Sequence, residues 1–211
     1  MNRSVHCVIY SHVWSLFSLH KLPALGALDK AAIVELGINS NFSAMTADLT
    51  KSRLGLRGLL QPGHGLADIL ETMDGVSCPV ALAPRPPVPI GALASATALL
   101  GSTAGKFDKV VLMVNSLDAV QLRSCLSCAD RLYVLWDMAD MPTAALAQIG
   151  EVLVNQQLIS TDNWGGFHLY SHPERPVADP AAVRASFSNI LGQYPQLANK
   201  QSTATARVPA S

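Results

Sequence analysis

Short apolar runs and helix-period segments alternate along most of this chain. Val5-His6-Cys7-Val8-Ile9-Tyr10 is a β-branched and aromatic run that predicts a first strand. Ala31-Ala32-Ile33-Val34-Glu35-Leu36 is continuously apolar up to its glutamate, as a strand buried on both faces must be. Val76 to Leu82, Lys109-Val110-Val111-Leu112-Met113-Val114, Arg131-Leu132-Tyr133-Val134-Leu135-Trp136 and Phe167-His168-Leu169-Tyr170 predict four more, with 109–114 central. Between them, apolar residues recur at three and four: Phe42 to Leu60, Gly65 to Glu71, Ile90 to Ser102 with Leu93, Leu99 and Leu100 inward, Leu117 to Ala129, and Pro142 to Val154. Asp179 to Leu191 adds a helix with Asp179 as N-cap and Pro180 at the first helical position.

The connections carry turn chemistry. Ser11 to Leu28 is irregular, with Pro23 and Gly26, and reads as a loop and a short helix. Ala83-Pro84-Arg85-Pro86-Pro87-Val88-Pro89 is extended, because each proline disfavours helix in the residue before it. From Asn199 onward the Ser/Thr/Ala/Pro composition lacks an apolar period, so residues 199–211 are expected to be a disordered tail. Strands alternating with helices imply right-handed βαβ units: a three-layer α/β domain over residues 1–198, with a mainly parallel sheet flanked by helices and no repeats or second domain.

Composition narrows the function classes. Of 211 residues, 49% are hydrophobic and only 14% charged, against the usual quarter, so the chain can bury a core but has few charges to keep its surface solitary. Net charge is zero, which argues against nucleic acid as a partner. No apolar stretch reaches the ~20 residues of a membrane span, and the N-terminus lacks the apolar core of a signal peptide, so a cytoplasmic protein is expected, without direct membrane insertion and with partners as its one route to a membrane. Cys7, Cys78, Cys125 and Cys128 are too few and scattered for a disulfide framework and fit reduced thiols.

Three stretches carry a family resemblance. Ala31-Ala32-Ile33-Val34-Glu35 is followed by Asn39-Ser40-Asn41-Phe42-Ser43. Leu54-Gly55-Leu56 precedes Gly65-Leu66-Ala67-Asp68-Ile69-Leu70. Lys106-Phe107-Asp108-Lys109-Val110-Val111-Leu112-Met113-Val114-Asn115 precedes Ala129-Asp130-Arg131-Leu132-Tyr133-Val134-Leu135. In order and spacing, from about Ala31 to Gly192, these resemble the ParA/MinD-type branch of P-loop ATPases. That branch includes tyrosine autokinases of exopolysaccharide export and localisation proteins of the tight-adherence pilus. The resemblance implies a P-loop NTPase-like fold that dimerises face to face.

The departures matter more for mechanism. A phosphate loop needs glycines so that backbone N–H groups can approach phosphate, a lysine for charge and Ser/Thr for Mg²⁺. Here Ser11-His12-Val13-Trp14-Ser15-Leu16-Phe17-Ser18-Leu19 follows the first strand, with neither glycine nor lysine. The family's second aspartate falls on Val114, only Glu35 matches an acidic position, and Tyr194 stands alone where autokinases carry a tyrosine cluster. The resemblance therefore implies a degenerate ATPase without a nucleotide cofactor. It would be a scaffold or localisation factor for protein partners in an envelope machine for pilus secretion or polysaccharide (exopolysaccharide or cellulose) synthesis, as a homodimer or beside an active homologue. The alternative is a divergent nucleotide-binding regulator or sensor, with Glu35 and Asn115 near its pocket.

Other chemistry is sparse. Cys125-Leu126-Ser127-Cys128 is a CxxC that reads as small core or interface residues; redox or half of a zinc site is the competing reading. His168 and His172, with Glu174, lack the helix that would make them a metal pair, and His64 reads as a loop residue. No Gly-x-Ser-x-Gly marks a hydrolase. Asp68, Glu71, Asp137 and Asp140 read as caps or solvated faces. Among the aromatics Trp14, Phe17, Trp136 and Trp164, buried core is the default. The low charge leaves room for an interface patch, for which Trp14, Phe17, Trp164 and Phe167 are the candidates, with Trp164-Gly165-Gly166-Phe167 expected to be an exposed glycine loop.

Overall fold

In a computed structural model the described residues form one seven-stranded sheet, and every strand pairing in it is parallel. The structure describes residues 4–11, 19, 22, 25, 28, 30–36, 55–72, 78–81, 92, 95–96, 100, 107–115, 119–140, 143–171 and 175–203, leaving out 172–174. Trp14, Phe17, the expected phosphate-loop position 12–18, the start of the 42–60 helix, Leu93, Leu99 and the 83–89 proline run lie outside them.

The strands are β1 (Ser4–Tyr10), β2 (Ala31–Glu35), β3 (Val80–Ala81), β4 (Lys109–Val114), β5 (Arg131–Asp137), β6 (Trp164–Tyr170) and β7 (Gln201–Thr203). Their order is β3-β2-β4-β1-β5-β6-β7. The helices are α1 (Leu66–Ile69), α2 (Ala119–Leu126), α3 (Thr143–Gly150), α4 (Pro180–Leu191) and α5 (Pro195–Ala198). A 3₁₀ turn at Gly55–Leu60 precedes α1, and a π turn at Glu151–Asn155 extends α3. Ala92, Ser95, Ala96 and Leu100, the described part of the 90–102 segment, are helical, with Ala96 and Leu100 buried.

Both sheet faces are buried, which explains why the strands read as continuous apolar runs instead of alternating ones. Val5, Cys7 and Ile9 of β1 join Ala32, Val34, Val110, Leu112, Leu132 and Val134 on one face. Against it pack Leu122 and Cys125 of α2, Leu146 and Ile149 of α3, Phe187 and Leu191 of α4, and Leu197 of α5. The opposite face carries Val8, Tyr10, Ile33, Val111, Met113 and Leu135, and shares its core with Leu19, Leu22, Leu25 and Leu28. Backbone hydrogen bonds between residues three apart are made at these leucines. Leu22 N–H donates to Leu19 O at 3.0 Å, Leu25 N–H to Leu22 O at 2.9 Å, and Ala31 N–H to Leu28 O at 2.8 Å. A spacing of three suits residues that share one side, and all four leucines are buried.

Two expectations fail at the far edge of the sheet. Trp164-Gly165-Gly166-Phe167 is not an exposed glycine loop but the start of β6, with Trp164 3% and Phe167 1% exposed. The glycines make room for neighbours. A Cβ on Gly165 would lie 2.2 Å from the Tyr133 ring, and Gly166, at φ +131, passes so close to Lys200 that a Cβ would lie 2.4 Å from its carbonyl oxygen. Nor do residues 199–203 form a disordered tail: α5 turns the chain back, and Gln201, Ser202 and Thr203 pair with Phe167, His168 and Leu169. Residues 204–211 lie outside the described set.

Asp179 caps α4 as expected, accepting from the N–H groups of Ala181 and Ala182 at 3.1 Å each. Tyr194 has a packing role: its ring lies where a Cβ on Gly150 would come within 2.3 Å, fastening the start of α5 to the end of α3. Phe187 of α4 meets Phe167 of β6 with ring centroids 5.9 Å apart.

Across β1, β5 and β6 runs a buried aromatic row, with Tyr133 between His6 and His168 and both centroid separations 5.9 Å. Burial is the largest influence on both imidazoles and holds each below its ordinary 6.5. Around His6, Asp130 opposes that effect, while Lys109 and Arg131 add to it. The unfolded chain therefore takes up protons first. This contribution to stability is complete above pH 6.5 and is lost as pH falls towards the lowered folded values. The urea midpoint should drop between pH 7.5 and pH 5, and a His6→Phe/His168→Phe variant should show a smaller drop. An equal drop in both proteins would contradict this account.

Candidate functional site

In an open parallel sheet, ligands bind beyond the carboxyl ends of the strands, where the strand order reverses. Here that point is β1. The chain leaves β1 towards β2, on the far side of β4, and returns through β4 to cross to β5 on the opposite side. The residues at this edge are Tyr10 and Ser11 at the end of β1, Glu35 and Leu36 at the end of β2, Val114 and Asn115 at the end of β4, Asp137 to Asp140 at the end of β5, and Tyr170 as the last residue of β6.

Much of this edge is tied up internally. Glu35 is 0% exposed and accepts a hydrogen bond from Tyr10 Oη at 2.7 Å. Burial, reinforced by the neighbouring Glu35, pushes the Tyr10 phenol far up, so it stays protonated and remains the donor. Ser11 Oγ accepts from Asp137 N–H at 2.8 Å, linking the ends of β1 and β5. Arg175, which follows β6, bridges two carboxylates: Nη1 to Asp137 Oδ2 at 2.5 Å and Nη2 to Asp140 Oδ1 at 2.7 Å.

Asp137 was expected on a solvated face or as a cap, and the solvated face is corrected: its side chain is 0% exposed. It also accepts from Ala139 N–H at 2.9 Å, so it closes the turn after β5 from inside the protein. Burial raises its pKa above the ordinary carboxylate value, while the Ala139 N–H and Arg175 pull in the opposite direction. Burial alone would lower Arg175, but its bonds to Asp140 and the charge of Asp137 outweigh that and raise it. Asp140 is 24% exposed, and Trp136 Nε1 donates to its backbone carbonyl at 3.4 Å.

The remaining candidates separate. Glu35, Asn115 and Val114 all lie at the carboxyl edge, and Val114, at the family's aspartate position, is fully buried. Trp164 and Phe167 lie in β6, Trp164 at its opposite, amino-terminal end. Asp68 caps α1, accepting from Gly65 N–H at 2.7 Å, and Glu71 makes an isolated bridge to Val80. Cys125 is fully buried and hydrogen-bonded with Cys7, and that bond and then burial push the Cys7 thiol well up. Cys78 is pushed up to about 11 by burial. Such thiols are packing residues, not nucleophiles. His168 belongs to the aromatic row, while His172 and Glu174 lie outside the described residues. Among the described residues no three His, Cys, Asp or Glu side chains come together as a metal site, and no helix is long and apolar enough to cross a membrane.

No protein-family model and no curated protein matches the chain. Solved structures do resemble it. The apo McdA of Cyanthece is 14% identical, with a TM-score of 0.64 over 97% of this chain and 86% of that one. A ParA family ATPase from Chlorobium tepidum is 11% identical, with a TM-score of 0.60 over 100% and 85%. The VpsO kinase domain is 13% identical, with a TM-score of 0.53 over 78% and 83%. The fold is thus of the ParA/MinD type, a P-loop NTPase-like parallel sheet flanked by helices.

Proposed function

We propose that this chain is a non-catalytic, ParA/MinD-like pseudo-ATPase that acts by protein–protein contact. The observation that carries the reading is the charge at the switch point. A phosphate site in this fold collects backbone N–H groups and a lysine. Among the described residues, this edge instead collects the carboxyl groups of Glu35, Asp137 and Asp140 against the single guanidinium of Arg175. Of the three only Asp140 keeps exposed surface, and the one cation beside them is already engaged by Asp137 and Asp140, so this edge offers a polyphosphate no free counter-charge among the described residues. The sequence 11–19 supplies neither glycine nor lysine to reverse that balance.

The partner in this reading is a second copy of the chain or an active homologue, docked on the face where ParA-type proteins meet. The low charge content supports association. The process we favour is an envelope machine, polysaccharide synthesis and export or pilus secretion. It rests on the sequence resemblance to the autokinase and pilus-localisation branch, and the likeness to the VpsO kinase domain is consistent with it.

Calorimetric titration of the purified chain with Mg²⁺–ATP, Mg²⁺–ADP and GTP, with light scattering on the same sample, tests this. No nucleotide binding together with a dimer or larger species is expected. Saturable micromolar binding would overturn the reading in favour of a divergent nucleotide sensor, and Glu35→Gln would then locate its pocket.

A further inference from the structure

We draw no further inference here: the strongest candidate, the cluster of Cys7, Cys125 and Cys128 between β1 and the carboxyl end of α2, has two thiols closed to solvent and a third that donates to the Cys125 carbonyl at 3.2 Å beside the negative pole of the helix, so it offers neither a thiolate for an oxidant nor, among the described residues, three ligands for a metal.

Discussion

Arg175→Ala is expected to cost the fold about 3 kcal/mol at neutral pH, because it strands a buried carboxylate. Asp137 has no exposed surface, and Arg175 supplies the only ion pair it makes in the described structure. The bridge to Asp140 is partly exposed and contributes less. The pH dependence gives the prediction its signature. Asp137 already titrates above its ordinary value, so it favours folding most when protonated, and its penalty grows as pH rises through the ordinary carboxylate range. Without Arg175 the folded value rises further. The loss in Arg175→Ala is then complete at pH 7 and shrinks as pH falls, until the carboxyl is protonated in folded and unfolded chains alike. Urea denaturation of both proteins at pH 7 and pH 4 measures this. Asp137→Asn in the Arg175→Ala background should recover most of the loss at pH 7. A pH-independent deficit that Asp137→Asn leaves in place would mean that Arg175 acts by packing alone.

Gly165→Val should destabilise the fold by about 3 kcal/mol or more, at the upper end of what overpacking costs. The first added carbon would sit 2.2 Å from Cε1 of Tyr133, a side chain 1% exposed and held between two histidines. The ring cannot swing aside without displacing His6 or His168. The measurement is thermal or urea unfolding of Gly165→Val beside Gly165→Val/Tyr133→Leu. Removing the ring should return part of the lost stability even though Tyr133→Leu alone is destabilising. If the double variant is as unstable as the sum of the two single changes, the glycine is required for its backbone and not for the space it leaves.

Most of the sheet was legible because its strands are buried on both faces and so appear as unbroken apolar runs. Lys109–Val114 and Arg131–Trp136 could be read almost to the residue. β6 was cut short because glycines usually mark loops. Gly165 and Gly166 are there for the Tyr133 ring and the Lys200 carbonyl, contacts made by residues more than thirty positions away. β7 was missed because a three-residue edge strand of Gln, Ser and Thr takes its order from the neighbouring β6 and carries no period of its own. The leucines at 19, 22, 25 and 28 were visible as residues, but their period of three matches neither an α-helix nor a strand. At the candidate site, Glu35 could be placed from sequence at the end of its strand. Asp137 could not be recognised as buried, because its partner Arg175 comes 38 residues later and only the fold brings the two together.

The central place of β1 has a consequence for how the chain is made. β1 is the first strand to be synthesised, yet its neighbours are β4 and β5, so Ser4 waits for Lys109 and His6 for Arg131. At ribosomal rates of about 5–20 residues per second, a run of seven residues with six of them destined for the interior stays without its partners for roughly 5–20 s. β2 cannot relieve it, since β4 must be inserted between them. During translation, Val5 to Tyr10 is therefore a sticky segment that waits for its sheet partners, a natural target for chaperones. Slowing synthesis between residues 35 and 109 should lower the soluble yield, whereas slowing it after residue 137 should not.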